Sequence, residues 1–137
     1  MIELIYHSAP AHSLQISELY KLLEQARSFN AQHGITGVLM FNNSYFLQAL
    51  EGDAHVVRAL AQRIRADTRH QHFTLLGEQT ITERTWTNWS MGLIMPNQRA
   101  KEVIATYCPG EFQPHILQLH TAHSLLQDLT QVATETA

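Results

Sequence analysis

The sequence predicts an α+β fold, a ferredoxin-like β-α-β-β-α-β-β mixed sheet with two helices on one face. Three observations carry this expectation. The chain opens on a short apolar run, Ile2-Glu3-Leu4-Ile5-Tyr6-His7, and then switches to apolar residues spaced three and four apart. Two further apolar runs flank Asn42-Asn43-Ser44 as the arms of a hairpin, because Asn tolerates the left-handed conformations of tight turns. A second helical signal opens at Asp53 and leads into further strand signals.

The first run, residues 2–7, reads as a buried strand followed by a loop at Ser8-Ala9-Pro10. In the helix that follows, Ile16, Leu19, Leu22, Leu23, Ala26 and Phe29 build one apolar stripe. Ser13 or Ser17 is placed to cap its start, and Gly34 to end it. Strands over 35–41 and 45–50 form the hairpin. Asp53 then caps a second helix over 54–66, with Val57, Leu60, Ala61 and Ile64 on its inner face. After Asp67-Thr68-Arg69-His70 come a strand over about 73–80 and a last one over about 89–95, ended by Pro96. Residues 97–137 read as a C-terminal helical extension to the 1–96 domain. Its helices, over 99–107 and 115–132, are expected to cover the open face of the sheet, with 133–137 frayed.

With 137 residues, 45% hydrophobic and 15% charged, the chain fits one compact domain. No apolar run approaches the roughly eighteen residues of a membrane span. The N-terminus has no basic region or cleavage site, so no secretion signal is expected. A lone cysteine, Cys108, excludes an internal disulfide framework and makes the cytoplasm the expected address. Net charge is -3, and the nine Lys and Arg are scattered, which argues against a nucleic-acid surface.

Polar side chains on apolar elements are the informative exceptions. Alternation places Gln48 between Phe46 and Leu50 on one strand face. An unpaired buried amide costs about 1–3 kcal/mol, so Gln48 needs a partner inside. Each such residue has a plain reading: a core Gln bonded to backbone, a core Tyr6, an Asn30 that caps its helix. The nine histidines, His70 and His72 or His120 and His123 included, lack cysteine pairs or carboxylates at ligand spacing, and no metal is expected. No nucleophile elbow, phosphate-binding glycine loop or Cys/His pair appears, so no enzyme is expected. Residue types and spacing alone stop at a small α/β binding module.

A set of ordered motifs goes further. Leu4-Ile5-Tyr6-His7-Ser8, Asn30-Ala31 with Gly34-Ile35-Thr36-Gly37, and Phe46-Leu47-Gln48-Ala49-Leu50-Glu51-Gly52 are followed by Asp67-Thr68-Arg69-His70 and Trp89-Ser90-Met91-Gly92. Together they resemble a BLUF domain, the family of blue-light sensors using flavin, of a short stand-alone type. The resemblance implies a non-covalent flavin, FAD or FMN, lying between the two helices. Tyr6, Asn30 and Gln48 match the family residues around the ring, with Gln48 between flavin N5 and Tyr6. Arg69, with Arg65, Asp67 and His70, falls where the ribityl and phosphate end emerges. The implied photochemistry is electron and proton transfer from Tyr6, leaving the Gln48 amide rotated or tautomerised and the absorption shifted to the red. Trp89 and Met91, taken to share a face of the last strand, would relay the signal, with Met91 nearer the flavin in the dark. Ala26 and Phe29 stand where some members carry Ser and His, which implies altered tuning. The expected partners are the flavin, a downstream regulatory protein and a second copy of the chain. The alternative is a flavin-free interaction module on the same fold.

Overall fold

The computed structural model describes residues 1–132 and the backbone of Thr134 and Glu135. In chain order the elements are β1 (Ile2–Pro10), α1 (Ile16–His33), β2 (Thr36–Phe41), β3 (Phe46–Gly52), α2 (Ala54–Ala66), β4 (His70–Thr80), β5 (Gly92–Ile94), α3 (Gln98–Tyr107), α4 (Leu119–Leu129) and β6 (Thr134–Glu135). The sheet order is β4-β1-β3-β2-β5-β6. The first four strands pair antiparallel as in a ferredoxin-like sheet, and β5 joins β2 in parallel. This is the predicted mixed sheet, extended by the two-residue β6 against β5.

Strand alternation divides the core into two layers. Ile2, Leu4, Tyr6, Phe46 and Leu50 face α1 and α2, meeting Leu19, Leu23, Val57 and Ala61. Ile5, Leu47 and Ala49 point the other way and meet Ala100 and Ile104 of α3 and Leu125 and Leu126 of α4. The C-terminal helices therefore cover the face that the first two helices leave open. Both layers rest on β1 and β3, which are buried on both sides because neither is an edge strand.

Local chemistry explains the element ends. The Asp53 carboxylate accepts from the His55 and Val56 amides and caps α2 as expected. Gly34, at φ 66°, closes α1 in the left-handed conformation, its N–H donating to Asn30 O. The Asn42 side chain accepts from the Ser44 and Tyr45 amides and builds the hairpin turn, with Asn43 at φ 75°. The start of α1 differs from expectation. Its N-cap is Gln15, whose amide donates to the Glu18 carboxylate at 3.3 Å, and neither serine caps it.

Further boundaries differ. β1 runs on through Ser8, Ala9 and Pro10, which pair with Phe46, Gln71 and His70 instead of forming a loop. β4 starts at His70, because His70 and Gln71 already pair with Pro10 and Ala9. β5 is only three residues long, since the chain over 89–91 turns through bends instead of extending. α4 starts at Leu119, after a 3-10 turn at Pro114–Ile116. Of the stretch expected to fray, residues 133, 136 and 137 lie outside the described residues, whereas the backbone of Thr134 and Glu135 pairs with β5.

Two carboxylates lie buried beneath the C-terminal helices. Glu3 and Glu51 face each other across β1 and β3, at 1% and 0% exposure. The Glu51 carboxylate accepts from Thr36 Oγ1 and from the Thr85 and Trp86 amides, which ties down the chain before β5. Glu3 accepts from Gln79 Nε2 and pairs with His123 Nδ1 at 2.6 Å, which fastens α4 to β1.

Two outcomes follow. A Cβ on Gly37 would stand 1.9 Å from Ala49 O, so Gly37→Ala forces β2 off β3. Its thermal melt should show at least the ~1–3 kcal/mol loss of an overpacked core. The hydrogen bond to Glu3, aided by the charges of Glu3 and Glu51 against the effect of burial, raises the His123 pKa above its ordinary 6.5. The stability this supplies is complete below 6.5 and is lost as pH rises through the raised value. The His123 ring, followed by NMR, should titrate above an unperturbed histidine, and Glu3→Gln should bring it back down.

Candidate functional site

Between α1 and α2, above β1 and β3, lies a cleft with about 630 Å³ of empty space, its mouth included. Six of the residues singled out in the sequence line it: Tyr6, Asn30, Gln48, Asp67, Arg69 and His70. They come from β1, the last turns of α1, β3, the α2–β4 connection and the first residue of β4. The α+β topology, and not proximity in sequence, brings them together.

At the floor, Tyr6 is 1% exposed and donates its hydroxyl to Gln48 Oε1. The other end of that amide is also used, Nε2 donating to Met91 Sδ at 3.3 Å. Gln48 therefore bridges a phenol and a thioether inside an apolar layer. Burial, and secondarily the negative charge of Asp67, pushes the Tyr6 pKa well above its ordinary 10.0, so the phenol keeps its proton at neutral pH.

Asn30 is held by its own helix end. Its carbonyl receives the Gly34 and Ile35 amides, and its Nδ2 donates to Ser90 O at 2.8 Å. Arg27, one turn earlier, donates Nε to Met91 O at 2.9 Å. Two buried atoms remain without a partner in this region, Asn30 Oδ1 and Arg27 Nη2. An unpaired buried acceptor costs ~1–3 kcal/mol, so the cleft suits a ligand that brings a donor. Leu23, Ala26, Leu39, Phe46, Leu60 and Ile64 supply apolar walls. A flat heteroaromatic ring with an imide N–H, such as a flavin, fits that combination of walls and acceptor.

The mouth carries charge. Arg69 holds Asp67 by paired hydrogen bonds and reaches Gln25 Oε1 at 3.2 Å. The Arg69 hydrogen bond, against the effect of burial, holds the Asp67 carboxyl down at about 2. His70 Nδ1 meets Ser8 Oγ at 2.9 Å, and burial above all keeps its pKa below the ordinary value.

One candidate residue stands apart from the cleft, and one sequence expectation is corrected. Arg65 does not line the cleft. Its guanidinium carbon lies over the Phe73 ring of β4, 5.8 Å from the centroid. Trp89 and Met91 do not share a face. Met91 is buried in the layer with α1 and α2, whereas Trp89 packs in the opposite layer, beside Gly92 and Val38. Period-two alternation fails there because residues 89–91 precede the strand. Sequence reasoning also missed Arg27, Phe73 and Trp86. Arg27 and Phe73 have no motif, and the Trp86 amide answers to Glu51, whose motif in the sequence gives no sign of that partner.

Comparison with known proteins gives this geometry a family. Residues 1–92 match the model of BLUF, "sensors of blue-light using FAD". The chain is 32% identical over 107 residues, 77% of its length, to photoactivated adenylate cyclase subunit beta of Euglena gracilis. It is 33% identical over 73 residues, 53% of its length, to the blue light- and temperature-regulated antirepressor BluF of Escherichia coli K12. The chain spans only 12% and 18% of those two relatives. Among solved structures, BlsA in its photo-activated state superposes with a TM-score of 0.88 at 29% identity, covering 99% of this chain and 97% of that one. The dark-state structure of BlrB gives 0.76 at 26% identity, covering 94% and 93%. Cleft, sequence match and superposition agree, and the chain belongs to the BLUF family of blue-light sensors that use FAD.

Proposed function

We propose that the protein signals blue light through the hydrogen bonds of the Gln48 amide, with FAD held non-covalently in the cleft between α1 and α2. The observation that carries this reading is the single bridge from Tyr6 Oη through Gln48 to Met91 Sδ. Asn30 supplies the free acceptor for the ring, and Arg69, with Asp67 and His70, stands at the mouth for the cofactor's polar tail. FMN has the same ring, and a solved relative, BlrP1 of Klebsiella pneumoniae, is recorded with FMN at 31% identity.

Bound flavin supplies the absorption of blue light and, once excited, a strong one-electron acceptor. Tyr6 is the donor. Its phenolic proton leaves along the hydrogen bond to Gln48 Oε1, and both electron and proton return, so nothing is oxidised in net. The amide, with two donors and one acceptor, is left rotated or tautomerised. Rotation would set an acceptor against Met91 Sδ, where this structure has an N–H donor. Met91 is held on its backbone by Arg27, and the preceding Ser90 by Asn30, so two successive turns of α1 hold one segment. That segment continues back to Trp86, whose ring lies 5.5 Å from His123 of α4. The C-terminal helices are thus the surface for a regulatory protein partner or a second copy of the chain.

The test is difference spectroscopy on the purified flavin-loaded protein, in the dark and after blue light. The wild type should shift slightly to the red and recover in darkness. Gln48→Ala and Tyr6→Phe should keep the flavin and lose the shift. Met91→Ala should keep the shift while losing any light-dependent change in amide exchange of α4. A full red shift in Gln48→Ala would refute the reading.

A further inference from the structure

The antiparallel register of β1 and β4 shifts twice, between Ile5 and Tyr6 and again between His7 and Ala9. His7 pairs with Thr74, but Ala9 pairs with Gln71, so Ser8 alone stands opposite His72 and Phe73. This is a β-bulge, and its extra residue, His72, takes φ 55°. Such a left-handed conformation is uncommon for any residue with a side chain.

The bulge has a consequence for the cleft. Residues three apart on an unbroken strand face opposite sides. With the bulge between them, both His70 and Phe73 turn toward the side of Tyr6. His70 meets Ser8 and the Phe46 ring at the cleft, and Phe73 stacks on Tyr6 with centroids 4.6 Å apart and planes inclined by 19°. The Arg65 guanidinium carbon also lies over the Phe73 ring, 5.8 Å from its centroid. β4 is the edge of the sheet, and most of its side chains are exposed. Tyr6 is nevertheless 1% exposed, next to that open edge.

We propose that Phe73, set on the side of Tyr6 by the Tyr6–Leu75 register and flanking the bulge at His72, is a positioning residue for the photoactive tyrosine. This rests on the reading of Tyr6 as the electron donor. Phe73 contributes no proton and no electron. Its ring fixes the plane of the phenol, which keeps Oη on Gln48 Oε1, and it shuts water out of the side where the sheet ends. Offset stacking of this kind also favours one ring orientation over its alternatives. A donor so held transfers its electron from one geometry, and the altered amide relaxes only within that geometry.

The experiment uses the flavin-loaded full chain. Phe73→Leu removes the stack, and His72→Val, a β-branched residue that resists the left-handed conformation, should displace the bulge. Both should keep a bound flavin, lengthen its excited-state fluorescence lifetime and speed dark recovery about two- to tenfold, the range one aromatic pair spans. His72→Gly, which adopts that conformation freely, should match the wild type. Wild-type lifetime and recovery in Phe73→Leu would overturn the proposal. So would loss of flavin from both Phe73→Leu and His72→Val, which would make Phe73 a residue of the fold. Tyr6→Phe separates the two claims. If it abolishes the red shift while Phe73→Leu is silent, only the positioning role falls, and if it retains the shift, the donor reading itself falls.

Discussion

A carboxamide on an apolar strand must be satisfied from within, and the Gln48 amide sets the terms for the rest of this molecule. Its acceptor takes the Tyr6 hydroxyl and its donor reaches the Met91 sulfur. Those partners come from the first strand and from the chain before β5, so the amide joins parts that are remote in sequence. An amide is also nearly symmetric in shape and opposite in polarity at its two ends. Rotating it changes every hydrogen bond it makes while barely changing its volume, which a close-packed interior can accommodate. That combination suits a switch better than it suits a structural contact.

The two faces of the sheet divide the work. One face carries the cleft, with an apolar wall, an unpaired acceptor at Asn30 and a charged mouth at Arg69. The other carries α3 and α4, fastened through His123 to the buried Glu3. Residues 84–91 cross between them, bound to Glu51 and Gly37 of the hairpin and to Arg27 and Asn30 of α1. Met91 lies in the cleft layer and Trp89 in the helix layer, so a displacement of this segment would be felt on both sides. Spatial continuity of this kind proposes a route, and coupling between its ends is what would establish one.

Much of this was legible in the sequence, for identifiable reasons. Long periodic segments reveal themselves, as α1 and β3 do, and so does a cap such as Asp53, whose chemistry is local. The placement of Tyr6, Asn30 and Gln48 in one cleft followed from ordered motifs spread over the first two thirds of the chain. What stayed hidden depends on tertiary geometry. Parity misassigned Trp89 because the strand there is three residues long and begins after Met91. Arg65 and Arg69 look equivalent in sequence, yet only Arg69 turns to the cleft. Phe73 reads as one more apolar residue on an edge strand until its register against Tyr6 and the stack of the two rings are seen. The Glu3–His123 pair spans 120 positions, and neither residue carries any local sign of the other.

The most direct test of the account is the light-minus-dark infrared difference spectrum of the protein with isotope-labelled glutamine. If the Gln48 amide is the switch, a glutamine side-chain carbonyl band should move on illumination, return in darkness and vanish in Gln48→Ala. A photoactive protein whose difference spectrum contains no labelled glutamine band would show that light leaves this amide unchanged, and would contradict the account.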